Sequence, residues 1–99
     1  MNINTPANYF RKTGDTTETF VYKGRCVLQA LLPENNTAGT ITVRDTGVAN
    51  GAGTVQSITS AAASQQGKTF GPYGVVCPNG ITVQLSNAAD AVCVVWAPL

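Results

Sequence analysis

Histidine is absent from the 99 residues. That removes the side chain that most often serves as general base near neutral pH and as ligand to transition metals. Ser-His-Asp and Cys-His nucleophile arrangements go with it. The carboxylates are Asp15, Glu18, Glu34, Asp45 and Asp90. Two of them held together would suit glycoside hydrolysis, but nothing in their spacing brings a pair into one place, and each reads as a solvated turn residue. Asp15 and Glu18 could join backbone carbonyls around Ca²⁺, yet no ligand-rich loop repeats. No catalytic, cofactor-binding or metal residue is assigned, and no enzyme is expected.

Three cysteines remain: Cys26, Cys77 and Cys93. An odd count argues against a disulfide framework. Each lies in or beside an apolar run, where a free thiol packs as a small hydrophobe. The glycine-rich stretch Gly47 to Gly53 lacks a Gly-Lys-Ser/Thr end and a following helix, so it reads as a hairpin connection and not a phosphate cradle. Of the aromatics, most alternate with polar residues at strand positions and belong to a core. Tyr9-Phe10 differs, since it sits in an otherwise polar N-terminal segment and can anchor that segment to its own domain or to a neighbour.

Charged residues make up only 11% of the chain, hydrophobic ones 43%, and the formal net charge is +1. The hydrophobic share is that of a globular protein, and the length is one domain. A near-neutral chain offers no basic footprint for nucleic acid. Arg11-Lys12 is the only basic pair and reads as a solvated turn. No apolar run is long enough to span a membrane. The polar start, with Asn2, Asn4 and Asn8, has no signal-peptide pattern, so synthesis in a cytoplasm is expected.

The elements that must position these residues are strands. Period-two alternation marks Thr17 to Tyr22, Arg25 to Leu32 (with Cys26, Leu28, Ala30 and Leu32 on one face) and Gly39 to Asp45 (Ile41 and Val43 inward). Pro33-Glu34-Asn35-Asn36 is a turn. Thr54 to Thr59 is a weaker strand, and Ser60 to Gly67 a connector. Thr69 to Val76, broken by glycines, reads as one bulged strand. Pro78-Asn79-Gly80 turns the chain into Ile81 to Ser86 and Ala91 to Trp96. Strands at this spacing, with no amphipathic helix, predict an all-β fold: a small antiparallel β-sandwich, jelly-roll-like or Ig-like, over residues 14–99, preceded by an extended N-terminal arm over residues 1–13.

The last two strands read as a hairpin centred on Ala88. Ile81, Val83, Leu85, Ala91, Cys93 and Val95 would then share an inner face. Val92, Val94 and Trp96 would fall on the outer face, and an apolar outer face needs a cover. The arm, another part of the chain or a neighbouring subunit would supply it.

Three stretches carry a resemblance: Asn36 to Asp45; Gly71-Pro72-Tyr73-Gly74-Val75 with Asn79-Gly80-Ile81-Thr82-Val83; and Ala88 to Trp96. Over roughly residues 20 to 96 the sequence resembles small β-sandwich virion structural proteins of tailed bacteriophages, of the capsid decoration or cement type. The resemblance implies a homo-oligomer, with a homotrimer expected, on the virion capsid surface. Its partners would be the major capsid protein and copies of itself, with neither nucleic acid nor membrane. The contact residues expected are Asn4, Tyr9, Phe10, Arg11, Lys12, Val92, Val94 and Trp96. The alternative is a glycan- or receptor-binding module of a phage tail or fibre, which predicts an exposed aromatic beside polar loop residues such as Asn50 or Asn79.

Overall fold

The computed structural model describes residues 8–34, 39–60 and 67–99. Asn4, the Asn35-Asn36 half of the first turn and most of the connector before Gly67 lie outside them. The strands are β1 (Asn8–Thr13), β2 (Thr19–Lys23), β3 (Cys26–Pro33), β4 (Thr40–Asp45), β5 (Thr54–Ser60), β6 (Lys68–Thr69), β7 (Val75–Cys77), β8 (Gly80–Leu85) and β9 (Ala91–Pro98). One sheet runs β1-β9-β3-β6, with β7 also on β3; the second runs β2-β8-β4-β5. Every pairing is antiparallel.

The chain is thus a β-sandwich, as its alternation predicts. With β6 and β7 taken as one interrupted strand, it is a ribbon of pairs: β1 with β9, β2 with β8, β3 with β6/β7, and β4 with β5. Alternate pairs fall in opposite sheets, which is jelly-roll connectivity and not the immunoglobulin order.

Bulges set the faces of two strands, and the one in β3 corrects the expected face. In β3 a bulge lies between Leu28 and Ala30. It turns Cys26, Leu28 and Leu31 into the core and puts Ala30 and Leu32 outside, so the predicted single face is broken at Gln29. In β2 a bulge between Phe20 and Tyr22 turns Tyr22 inward, where its ring stacks on Trp96 at a centroid distance of 4.5 Å.

The expected final hairpin does not form. β8 lies between β2 and β4, while β9 lies between β1 and β3 in the other sheet, so Ser86 to Asp90 crosses the sandwich. Residue parity explains the choice. A hairpin would put Val92 and Val94 on the face opposite Ile81 and Val83. A crossover sets the two groups against each other in the core, where all four are fully buried with Leu28, Leu31, Ile41 and Val43. The cover that Val92, Val94 and Trp96 require is therefore the chain's own second sheet.

Thr69 to Val76 resolves into two short strands on one edge of β3, separated by a turn at Gly71–Tyr73. Gly74 closes that turn with φ of 75°. Its Cα passes so close to β3 that a β-carbon would lie 2.6 Å from the Leu28 carbonyl oxygen and collide with Val27.

Candidate docking face

β9 is apolar on both sides. Once Val92, Val94 and Trp96 face the core, Ala91, Cys93, Val95 and Ala97 face outward from the centre of the five-stranded sheet. Their neighbours in register are Tyr9 and Arg11 from β1 and Ala30 and Leu32 from β3. Tyr9, opposite Val95, is 70% exposed, whereas Val95 and Ala30 further along the same row are shielded by their neighbours, at 8% and 9% exposed. Leu32, opposite Cys93, is also exposed. Arg11 and Glu34 form an exposed ion pair at one end, Nε to Oε1 2.9 Å. The result is a shallow apolar surface with one projecting aromatic and a charged margin. Cys93 is half-buried here; burial and nearby Glu34 push its thiol pKa up, and Arg11 opposes them.

The residues expected to make contacts divide sharply. Tyr9 and Arg11 are on the surface. Phe10 packs against the core, Trp96 is half-buried against it, and Val92 and Val94 lie inside it. Lys12 is no solvated turn residue. It is 5% exposed, faces inward opposite Val92, and its ammonium donates to Asp15 and, at 2.8 Å, to Thr19 Oγ1. An inward lysine on an edge strand satisfies its charge at the rim and discourages edge pairing. Asn8 to Thr13, read as the end of an arm, is strand β1 itself.

The outer face of the second sheet carries a polar network along β2, β8 and β4, with exposed Val55 and Ile58 beside it on β5. The Glu18 carboxylate accepts from Thr82 Oγ1 and, at 2.8 Å, from Gly51 N–H, with Arg44 at 3.8 Å. Arg44 also donates to Gln84 Oε1 at 2.9 Å, and Gln84 donates to the Thr16 carbonyl at 3.1 Å. This network seats the Gly47–Gly53 connection on the sheet. Asp15 meanwhile accepts from Lys12 and from Thr17 N–H at 2.9 Å. Asp15 and Glu18 therefore serve different partners, and among the described residues no group of three His, Cys, Asp or Glu side chains is placed to hold a metal.

Asp90 departs furthest from its expected solvated role. It is completely buried, and neither carboxylate oxygen has a hydrogen-bond partner among the described residues. Cys26 and Cys77, expected as buried thiols, are that, but they also stand directly opposite each other on β3 and β7. Their apposition was invisible in the sequence because it depends on how β7 aligns with β3. No protein-family model matches the chain, and no curated protein or solved structure matches it either.

Proposed function

We propose that this protein is a structural component of a tailed-phage virion, a decoration or cement protein that docks on the outer capsid surface through the outer face of its five-stranded sheet. The observation that carries the reading is Tyr9, 70% exposed on β1 and in register with Val95 and, beyond it, Ala30 on the outer side of the sheet. Aromatic anchors ringed by apolar and then charged groups are the usual energetic centre of protein interfaces. Jelly-roll connectivity, common in viral capsid and lectin domains, is compatible with this role. So is the resemblance of residues 20 to 96 to virion structural proteins.

The test measures binding of Tyr9→Ala and Leu32→Glu to expanded capsids of the parent virus by co-sedimentation. Each should weaken binding by about tenfold or more while the circular dichroism spectrum is unchanged. Parent-like binding by both variants would reject this face.

One observation favours a glycan-binding module instead: Tyr73, in the Gly71–Tyr73 turn, is 82% exposed. Aromatic faces on loops can stack on sugar rings. Glycan-array binding that Tyr73→Ala abolishes, together with no capsid binding, would select that role.

A further inference from the structure

Cys26 on β3 and Cys77 on β7 are partners in the strand register, and both are fully buried in the core cluster on the same face of the sheet. The Cys26 sulfur lies over the facing strand, 3.8 Å from the Cys77 carbonyl oxygen. Gly24 N–H donates to the Asn79 carbonyl at 3.2 Å in the same alignment. Counting back along the alternating ladder, Cys26 and Cys77 occupy a hydrogen-bonded pair, whose Cα atoms stand about 5.5 Å apart. A disulfide accepts Cα separations of about 4.4–6.8 Å. Its β-carbons, however, sit about 3.8 Å apart, nearly 2 Å closer than the roughly 5.5 Å of a hydrogen-bonded facing pair. The backbone distance fits; the Cys77 sulfur lies 3.8 Å from the Val75 carbonyl of its own strand, so closure takes a turn of that side chain and a shift of the three-residue strand β7 toward β3.

We propose that Cys26 and Cys77 form a native cross-strand disulfide site, one that ties β7 to β3 when the protein meets a low-molecular-weight disulfide oxidant of the glutathione class. One cysteine, as thiolate, attacks oxidised glutathione, giving a protein–glutathione mixed disulfide and releasing one glutathione thiolate. The second cysteine attacks the protein sulfur of that mixed disulfide and releases the second glutathione. The net change is two protein thiols and one oxidised glutathione converted to one protein disulfide and two reduced glutathiones. Access requires β7 to lift from β3. β7 is short and has no further strand beyond it among the described residues, which places this opening among the low-energy local fluctuations of the fold. While β7 is seated, burial keeps both thiols protonated and inert.

The chain's own statistics supply a control. Cys26 and Cys77 are 51 residues apart, and Cys77 and Cys93 only 16. Loop closure in an unfolded chain therefore favours the Cys77–Cys93 bridge by about fivefold. The folded sandwich favours the opposite outcome, because Cys93 faces outward on β9.

The experiment incubates the reduced, full-length protein with oxidised glutathione, once folded and once in concentrated urea. Remaining thiols are then alkylated and the bridges mapped by peptide mass spectrometry. The folded sample should give the Cys26–Cys77 bridge with Cys93 alkylated, and Cys93→Ser should give the same bridge. The urea sample should give mainly Cys77–Cys93. A folded sample with three alkylated cysteines, or with the urea sample's distribution, overturns the proposal.

Discussion

Gly80 follows Asn79 with φ of 137°, a conformation that side-chain-bearing residues avoid. A β-carbon there would lie 2.7 Å from the Tyr22 carbonyl oxygen and 3.0 Å from that of Thr46. Both obstacles are backbone, so neither can rotate away. Gly80→Ala should therefore cost about 2–3 kcal/mol, read as a lower urea midpoint at an unchanged slope. The Asn-Gly step was legible as a turn; its burial between two strand ends was not, because that depends on which strands flank β8. Asp90 shows the same limit. Its place after Asn87-Ala88-Ala89 suggests solvent, but the chain crosses between sheets there and the carboxyl group is enclosed without a partner among the described residues. Enclosing a carboxyl group without a partner costs more than enclosing a neutral amide of the same shape, so Asp90→Asn should raise the urea midpoint. Asp15 is the opposite case. Its hydrogen bond from Lys12, then that from Thr17 N–H, hold its carboxyl below the usual value of 3.8. A carboxyl with a lowered folded-state pKa stabilises the fold above its unfolded value and loses that effect as pH falls through the folded value. Asp15→Asn should lower the melting midpoint near pH 6, and the two midpoints should converge as the pH drops below 3.8.

At the scale of elements, alternation located β2, β3, β4, β5, β8 and β9, because a half-buried strand must repeat every two residues. Partner choice was less accessible. β8 and β9 are adjacent in sequence and both apolar, which fits a hairpin as well as a crossover; only burial of both odd and even residues in β9 separates the two. The bulges in β2 and β3 are likewise invisible to a strict period of two, and each shifts the faces downstream of it. The crossover gives a quantitative expectation. Val94, inside the core, should lose about 2 kcal/mol on Val94→Ala from lost burial and the residual cavity. Val76, on the outside of β7 and largely exposed, should change by less than about 0.5 kcal/mol on the same substitution. The β3–β7 pair adds a pH dependence. Burial, first among the causes, pushes Cys26 up to about 11 and Cys77 up to about 12, against an ordinary 9.0. Below pH 9.0 both states keep their thiols protonated and the stabilisation is complete. Above it the unfolded chain ionises first, and stability falls until the folded values are passed. Under reducing conditions the urea midpoint should drop between pH 9 and 11, and the double substitution Cys26→Ala, Cys77→Ala should flatten that decline.

At the scale of the whole molecule, jelly-roll pairing places the first described strand beside the last, with β1 against β9 along all six residues of β1. Residues 8–13 complete the sandwich: Phe10 packs on the core, and Lys12 closes the gap toward β2 through Asp15 and Thr19. The same strand carries Tyr9 on its outer side, so folding and the proposed docking share one element, with the work divided by residue parity. Sequence alone joined these residues into a single arm, since a lone aromatic pair in a polar segment gives too short an alternation to declare a strand. A truncation series separates the duties. Removing residues 1–7 should preserve a cooperative thermal transition, because β1 stays intact. Removing residues 1–13 strips the edge from β9 and opens the core beside Val92 and Val94, and it should abolish that transition. A capsid-binding loss seen only in the longer truncation would then report unfolding. A loss seen on Tyr9→Ala, with the transition retained, would report the docking face itself.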